Sequence, residues 1–326
     1  MAVFRHTEDL PPEARGCSVA IGNFDGVHRG HRAVLAEAQA HAKALGTQAA
    51  VLTFEPHPRQ VFQPEAPPFR LSSLRTKTRL LESLGMAHLF VRHFDSDFAR
   101  IDADSFVTDI LLGHLAARHI VIGADFRFGH KRGGDADRLR QRAAPAGVGV
   151  SALPPVHDAQ GEVVSSSRIR GALRDGDPLG AAELLGRPWE VEGRVEPGAQ
   201  RGRDIGFPTA NLRLGAYLEP RHGIYAVRAG IDRGAATVWW DGVAYIGRRP
   251  VVAGEDVLLE VYVFDASPDL YGEHLRVRMI DFIRPDGPFE SLETLKTQIV
   301  ADCAAARDIL ARTPAESARP AAGWSV

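Results

Sequence analysis

Gly22-Asn-Phe-Asp-Gly-Val-His-Arg-Gly-His31 is the stretch that decides the fold. Before it, Ser18-Val19-Ala20-Ile21 is a short apolar run that reads as a buried strand. After it, Val34, Leu35, Ala38, Ala42 and Leu45 return to one face at helical spacing. The stretch is therefore a strand-to-helix turn, with His28 and His31 at the helix start. Gly22, Gly26 and Gly30 let the backbone bend and come close to a ligand. Backbone N–H groups and the positive end of the helix dipole favour phosphate there. The two imidazoles add further donors.

Other readings of the stretch stand beside this one. A zinc site would need more ligands than the chain offers nearby. Its two cysteines, Cys17 and Cys303, lie far apart. Two ordinary histidines at a helix start are a second reading. A different phosphate loop is a third, but neither GxGxxG nor GxxxxGK[ST] is present.

Outward from this turn, the first half alternates strand and helix signals. Ala49 to Phe54 reads as a strand, ended by the turn Glu55-Pro56-His57-Pro58. Leu74, Leu80, Leu81 and Leu84 suggest a helix ending near Gly85. His88 to Val91, His119 to Ile122 and Val148 to Leu153 are further strands. Phe106, Ile110 and Leu111 mark a helix capped by Asp102 or Asp104. Short apolar strands separated by helices predict a parallel sheet covered on both faces. Ligands on such sheets sit beyond the carboxyl ends of the strands, where the Gly22 turn, the Phe54 turn and the loop after Gly123 all fall.

Ser165-Ser166-Ser167-Arg168-Ile169-Arg170 follows. The serines read as helix N-caps. With two guanidinium groups they also make a clamp for polyphosphate. Asp177 to Leu185 reads as the last helix of this half, and Gly186-Arg187-Pro188 as a break.

Beyond the break the pattern changes to strands: Trp189–Val195, Ile224–Ala229, Ala236–Trp240, Val257–Phe264 and Leu275–Phe282. They predict a small antiparallel Greek-key barrel. A closing helix carries Leu292, Leu295, Ile299, Cys303, Ala306 and Leu310 on one face. Domains are expected at 1–186 and 187–312, with 313–326 a flexible tail.

The barrel half holds a second chemical stretch, Arg201-Gly-Arg-Asp-Ile-Gly-Phe-Pro-Thr-Ala-Asn-Leu212. Gly202 and Gly206 permit a tight loop. Thr209 and Asn211 present two hard oxygens, which suit Mg²⁺. A plain turn is the other reading. Glu260 lies in an alternating strand and shares a face with Leu258, Tyr262 and Phe264, opposite Leu259, Val261 and Val263. It is either a surface carboxylate or a chemical group.

At 326 residues two domains are the default, and 44% apolar with 25% charged residues is ordinary for a globular chain. A net charge of −2 carries no nucleic-acid footprint. Cysteine usage fits a reducing cytosol and a cytoplasmic location. No signal-peptide pattern and no membrane-spanning run is read. The expected partners are small molecules, without nucleic acid or membrane, and the chain is expected as a monomer or weak homo-oligomer.

Three motifs carry a resemblance. The H-x-G-H of GNFDGVHRGH and the Ser-Ser-Ser-x-Ile-Arg string resemble the nucleotidylyltransferase superfamily, in its FMN adenylyltransferase branch. The string GRxxGFPTANL resembles the riboflavin kinase signature. Gly223-Ile-Tyr-Ala226, Leu259-Glu-Val261, Asp269-Leu-Tyr-Gly272, Phe282-Ile-Arg284 and Phe289-Glu-Ser-Leu292 agree with it. Together the halves resemble the bacterial bifunctional riboflavin kinase/FAD synthetases over about Ser18 to Leu310. The resemblance implies that riboflavin and ATP give FMN, and that FMN and ATP give FAD and pyrophosphate, with Mg²⁺. It implies that Glu260 is the base and that Thr209 and Asn211 hold the metal. It implies that His28 and His31 stabilise charge at the α-phosphate. Gly22, Asn23, Asp25, Gly26 and Gly30 would hold the nucleotide, as would Ser166, Ser167, Arg168 and Arg170. Gly202 and Gly206 would hold phosphate in the kinase half. Phe54, His57, Asp125, Phe126 and Phe128 match segments near flavin and nucleotide, although each ring also suits a core, and Tyr245 would meet flavin.

Some positions depart from the pattern. Tyr245-Ile-Gly-Arg-Arg-Pro-Val251 stands for Asn-Ile-Gly-x-x-Pro-Thr, Tyr262 for a His, and Pro197-Gly198-Ala199 for His-Gly-Asp. They leave open a second reading, an adenylyltransferase whose barrel only binds flavin, regulates, or has altered flavin specificity.

Overall fold

The computed structural model describes residues 1–196, 206–251, 254–266 and 268–313, without the side chains of 249–251 and 254–256. Pro197 to Ala199, Gly202 and the tail 314–326 lie outside the described residues. Packing divides the chain into two compact units. One comprises Met1–Ala66 and Leu74–Ser165, the other Pro67–Ser73 and the chain from Ser166 onward.

The first unit holds strands β1 (Ala2–Phe4), β2 (Ser18–Ile21), β3 (Ala49–Glu55), β4 (His88–His93), β5 (His119–Gly123) and β6 (Gly149–Leu153). All pairings are parallel, in the order β1-β4-β3-β2-β5-β6. Helices are α1 (Arg29–Ala44), α2 (Pro58–Phe62), α3 (Leu74–Ser83), α4 (Ala103–Ser105) and α5 (Ala136–Ala143). Alternation along the strands makes two cores. Ala20, Val51, Leu89 and Val121 face α1 and Leu81 on one side. Val19, Ile21, Leu52, Phe90 and Ile120 face Phe106, Leu111 and Leu139 on the other. Both faces are buried, so the strands read as continuous apolar runs.

The structure adds two details to the sequence reading. β1 extends the sheet beyond β4, three residues too few to show a pattern. Asp102, not Asp104, is the cap: its Oδ1 accepts from the Asp104 and Ser105 N–H groups at 2.9 and 3.0 Å. The helix then runs as a π-helix over Phe106–His114.

The second unit begins with α6 (Ser166–Asp175) and α7 (Pro178–Leu185). Six strands follow: β7 (Trp189–Arg194), β8 (Ala210–Arg213), β9 (Gly223–Ile231), β10 (Trp240–Val251), β11 (Gly254–Val263) and β12 (His274–Pro285). Their order is β7-β12-β9-β10-β11-β8, every pairing antiparallel. β12-β9-β10-β11 is a Greek key. The Glu196 N–H donates to the Asn211 carbonyl at 3.0 Å, which brings the two outer strands together and nearly closes the barrel. The closing helix is α8 (Leu292–Arg312). Its Ala306 and Leu310 pack on Ala226, Val243 and Phe264 outside the barrel. Leu292, placed by its spacing on the buried face, is 56% exposed, because the helix contacts the barrel only further along.

The strand expected at Ala236–Trp240 is instead a 3₁₀ turn, Gly234–Ala236, before β10 begins at Trp240. The stretch Ala210–Arg213, read as part of a loop, is β8.

Gly223 opens β9 at φ 146°, and a Cβ there would lie 2.2 Å from the Arg284 carbonyl oxygen. Gly223→Ala should therefore cost about 2–4 kcal/mol, from backbone strain plus overpacking. Thermal unfolding would check this; an unchanged midpoint would show that β12 yields easily.

Candidate active sites of the two units

In the first unit the Gly22–His31 turn joins β2 to α1, beside the point where strand order reverses between β2 and β5. Phe24 and Val27 take left-handed backbone, at φ 48° and 45°. Each such residue costs about 1–2 kcal/mol. Both side chains are buried in the core, which returns about 1.5–3 kcal/mol apiece and so outweighs the strain.

His28 is the N-cap of α1, and its Nδ1 accepts from the His31 N–H at 3.3 Å. In the neutral ring this acceptor role puts the proton on Nε2. The His31 ring stacks on that of His28 at 3.6 Å and meets the edge of Phe24 at 5.2 Å. Gly30 makes room for the stack: a Cβ there would lie 3.2 Å from the His28 ring. Asp25 is 2% exposed.

Arg29 and Arg32 sit in the first turn of α1, where the helix dipole disfavours cations. Burial, and then the charge of Arg29, lower the Arg32 pKa from its usual value. An anion at this turn would relieve both. The sequence reading passed over these two arginines, and the charge excess at a helix start was the signal.

The aromatic candidates divide. Phe54 and Phe128 are core residues, each 6% exposed, and both pack on Phe106 at 6.4 and 5.3 Å. Phe126 is half-buried against Phe128, and Asp125 is exposed. His57 caps α2, its Nδ1 accepting from the Arg59 N–H at 3.1 Å.

In the second unit Ser166, Ser167 and Arg168 open α6, which buries Ile169 and Leu173. The Arg170 Nε donates to the Phe69 carbonyl at 2.8 Å, and the guanidinium lies over the Phe69 ring. Part of Arg170 is thus committed to seating the Pro67–Ser73 segment.

The barrel register builds the other candidate site. Residues 259, 261 and 263 fill the barrel interior, so Glu260 faces outward and is half-buried. Glu260 stands directly opposite Tyr245 on β10 and directly opposite Asn211 on β8. Tyr245 in turn faces Ile224 on β9, and Ile224 faces Arg284 on β12. Arg284, Ile224, Tyr245, Glu260 and Asn211 thus form one cross-strand row, with direct neighbours about 5 Å apart at Cβ. Thr209 lies two residues before Asn211, whose Nδ2 donates to the Thr209 carbonyl at 3.4 Å. This turns the Asn211 amide oxygen away from that carbonyl. Phe207 packs edge-on against Tyr262 at 5.6 Å, which fixes Gly206–Thr209 beside β11. Arg284 was not singled out from the sequence. Asp302 on α8 grips it with two hydrogen bonds, at 2.8 and 2.7 Å, and holds its pKa above the usual value.

Among the described residues one His/carboxylate group could hold a cation: Glu192, Asp232 and His274. Charge is already supplied there. Arg276 lies 3.9 Å from Asp232 and pairs through two bonds with Glu190, and the Ser73 hydroxyl donates to Glu192.

Comparison with known proteins identifies the halves. A family described as FAD synthetase matches residues 10–168, and one described as riboflavin kinase matches 185–310. The bifunctional riboflavin kinase/FMN adenylyltransferase of Escherichia coli K12 is 40% identical over 91% of this chain and 94% of its own length. That of Pseudomonas fluorescens is 41% identical over 95% and 98%. A crystal structure described as a macrolide-efflux protein from Streptococcus pneumoniae superposes with a TM-score of 0.81 at 30% identity, over 96% of this chain and 99% of that one. Among the described residues no helix is long and apolar enough to cross a membrane. The fold and motifs define a two-part nucleotide-dependent transferase. The chain belongs to the bifunctional riboflavin kinase/FMN adenylyltransferase family.

Proposed function

We propose that the chain makes FAD from riboflavin in two ATP-dependent steps. The barrel moves the γ-phosphoryl of ATP to riboflavin, releasing ADP and giving FMN. The N-terminal half, residues 1–186, moves AMP from ATP to FMN, releasing pyrophosphate and giving FAD. The observation that carries the first step is the register that sets Glu260 between Asn211 and Tyr245.

In the first step Glu260 accepts the proton of the ribityl 5′-hydroxyl as its oxygen bonds to the γ-phosphorus. Backbone N–H groups around Gly206 hold phosphate, and Gly202 is assigned the same part. Thr209, just before β8, and Asn211, on β8 opposite Glu260, offer hydroxyl and amide oxygens, a donor set that fits Mg²⁺. When bound there, Mg²⁺ supplies charge neutralisation on the phosphate oxygens.

In the second step the FMN phosphate is already an anionic nucleophile, so no strong base is needed. Backbone N–H groups of the Gly22–His31 turn, with Asn23 and Asp25 shaping it, hold the nucleotide. The Nε2–H of His28 and the ring of His31 stabilise charge developing at the α-phosphate. Ser166, Ser167, Arg168 and Arg170 are assigned to the leaving pyrophosphate. Phe126 and Asp125, exposed or half-exposed, suit a flavin contact better than the buried Phe54 and Phe128. The functional boundary is placed at 186/187, the location in the cytoplasm, and the working form as a monomer or weak homo-oligomer.

Incubation with riboflavin, ATP and Mg²⁺, following FMN and FAD separately, should show both products. FMN and ATP alone should give FAD. A protein that makes FAD from FMN but never FMN from riboflavin would have a barrel that binds or regulates only.

Tyr245 decides how well riboflavin fits. Its hydroxyl donates to Asp286 at 2.7 Å, and its ring lies over Gly247, where a Cβ would be 2.0 Å from the phenol oxygen. The ring therefore covers the face beside Glu260. Tyr245→Asn should lower the riboflavin concentration for half-maximal rate by about tenfold, through one regained hydrogen bond. A rise in that concentration would mean that the ring itself binds flavin.

A further inference from the structure

A fully buried lysine, Lys77 on α3, stands behind the turn that this reading gives to the nucleotide. Its Nζ donates to the Glu55 carboxylate at 3.0 Å and to the Thr53 hydroxyl at 3.3 Å. Thr53, also fully buried, donates its single proton to the Asn23 carbonyl at 3.2 Å. The direction of the relay is forced. A hydroxyl that gives its proton to a carbonyl can only accept from the ammonium. The cation polarises the hydroxyl and strengthens its bond to Asn23.

The sequence places these groups in line. Thr53 and Glu55 are two apart on β3 and share a face. β3 is hydrogen-bonded to β2 as far as Leu52 and to β4 through Thr53 and Glu55, so the backbone beneath both side chains is held. Asn23 is the residue after Gly22 and directly precedes the left-handed Phe24. The Gly22 N–H bonds the Leu52 carbonyl at 3.1 Å, so the turn is tied to β3 at two successive residues. The first tie is backbone and the second depends on side chains.

We propose that Lys77 is a positioning residue for adenylyl transfer. Through Thr53 it fixes the Asn23 carbonyl, and with it the direction of the N–H groups from Phe24 to His28. The proposal rests on the assignment of that turn to the nucleotide. A lysine in this place needs no contact with substrate. Its ion pair with Glu55 balances the buried charge, and its second hydrogen bond sets geometry. Small displacements in a transfer site are costly, about a hundredfold in rate for 1 Å.

Two variants separate this role from plain stability. Thr53→Val cuts the relay and keeps the Lys77–Glu55 pair. Lys77→Met with Glu55→Gln removes the pair without leaving a buried charge. Each is assayed in the full chain for FAD formation from FMN, for FMN formation from riboflavin, and for thermal midpoint. The expected result is a tenfold to hundredfold fall in kcat for FAD formation in both variants, with riboflavin phosphorylation unchanged. Lys77→Arg should restore part of the loss. If Thr53→Val folds and keeps full adenylyl transfer, the relay only stabilises the unit and the proposal fails. A loss in thermal midpoint alone, without a change in kcat, has the same meaning. Failure of the underlying reading looks different: His31→Ala would then leave FAD formation untouched.

Discussion

His31→Ala lowers FAD formation from FMN by about a hundredfold to a thousandfold, the usual loss of a group that stabilises transition-state charge. FMN formation from riboflavin stays at the wild-type rate in the same preparation. His31 stacks on His28 at 3.6 Å, and its N–H donates to the His28 Nδ1. Alanine keeps that N–H, so the His28 cap survives and the helix start is held. What disappears is one imidazole in a turn that already offers backbone donors. The neighbouring Phe24 loses an edge contact, which costs little beside the effect on rate. Paired assays with a melting curve decide the matter. Equal loss of both activities in a folded protein would show that the two units do not work independently.

The parallel sheet was legible because its strands are buried on both faces and read as unbroken apolar runs. The turn after β2 was legible because glycines and histidines stand where a strand becomes a helix. Lys77 was not, since a lysine inside an amphipathic helix reads as solvent-facing. Only the packing shows that it is buried beside Thr53 and Glu55. The alternation of Leu259, Val261 and Val263 put Glu260 on the opposite face, but neither that this face is the outer one nor its partners could be read. Asn211 and Arg284 reach Glu260's row through register, and register between strands so distant in sequence is set by the whole barrel. The strand Ala210–Arg213 escaped because Pro208 and the glycines before it signal a turn more strongly than four residues signal a strand.

Glu260→Gln lowers FMN formation by about 10²–10⁴ in rate, the range for a positioned general base. FAD formation from supplied FMN is unchanged. Glutamine keeps the length and shape of the side chain, so the row with Tyr245 and Asn211 is preserved and the barrel interior is untouched. Only the capacity to accept a proton at the carboxylate is lost. Riboflavin binding, followed by flavin fluorescence, should survive, so that the loss falls on kcat and not on the concentration for half-maximal rate. Phosphoryl transfer draws most of its acceleration from positioning and charge stabilisation, a part the proposal assigns to the Gly206 turn, Thr209 and Asn211. The effect of the base is therefore bounded, and a residual rate above background is compatible with the assignment. If Glu260→Gln keeps FMN formation within about threefold of wild type, far less than a general base is worth, the proton leaves by another route and Glu260 serves the site only through its place in the row.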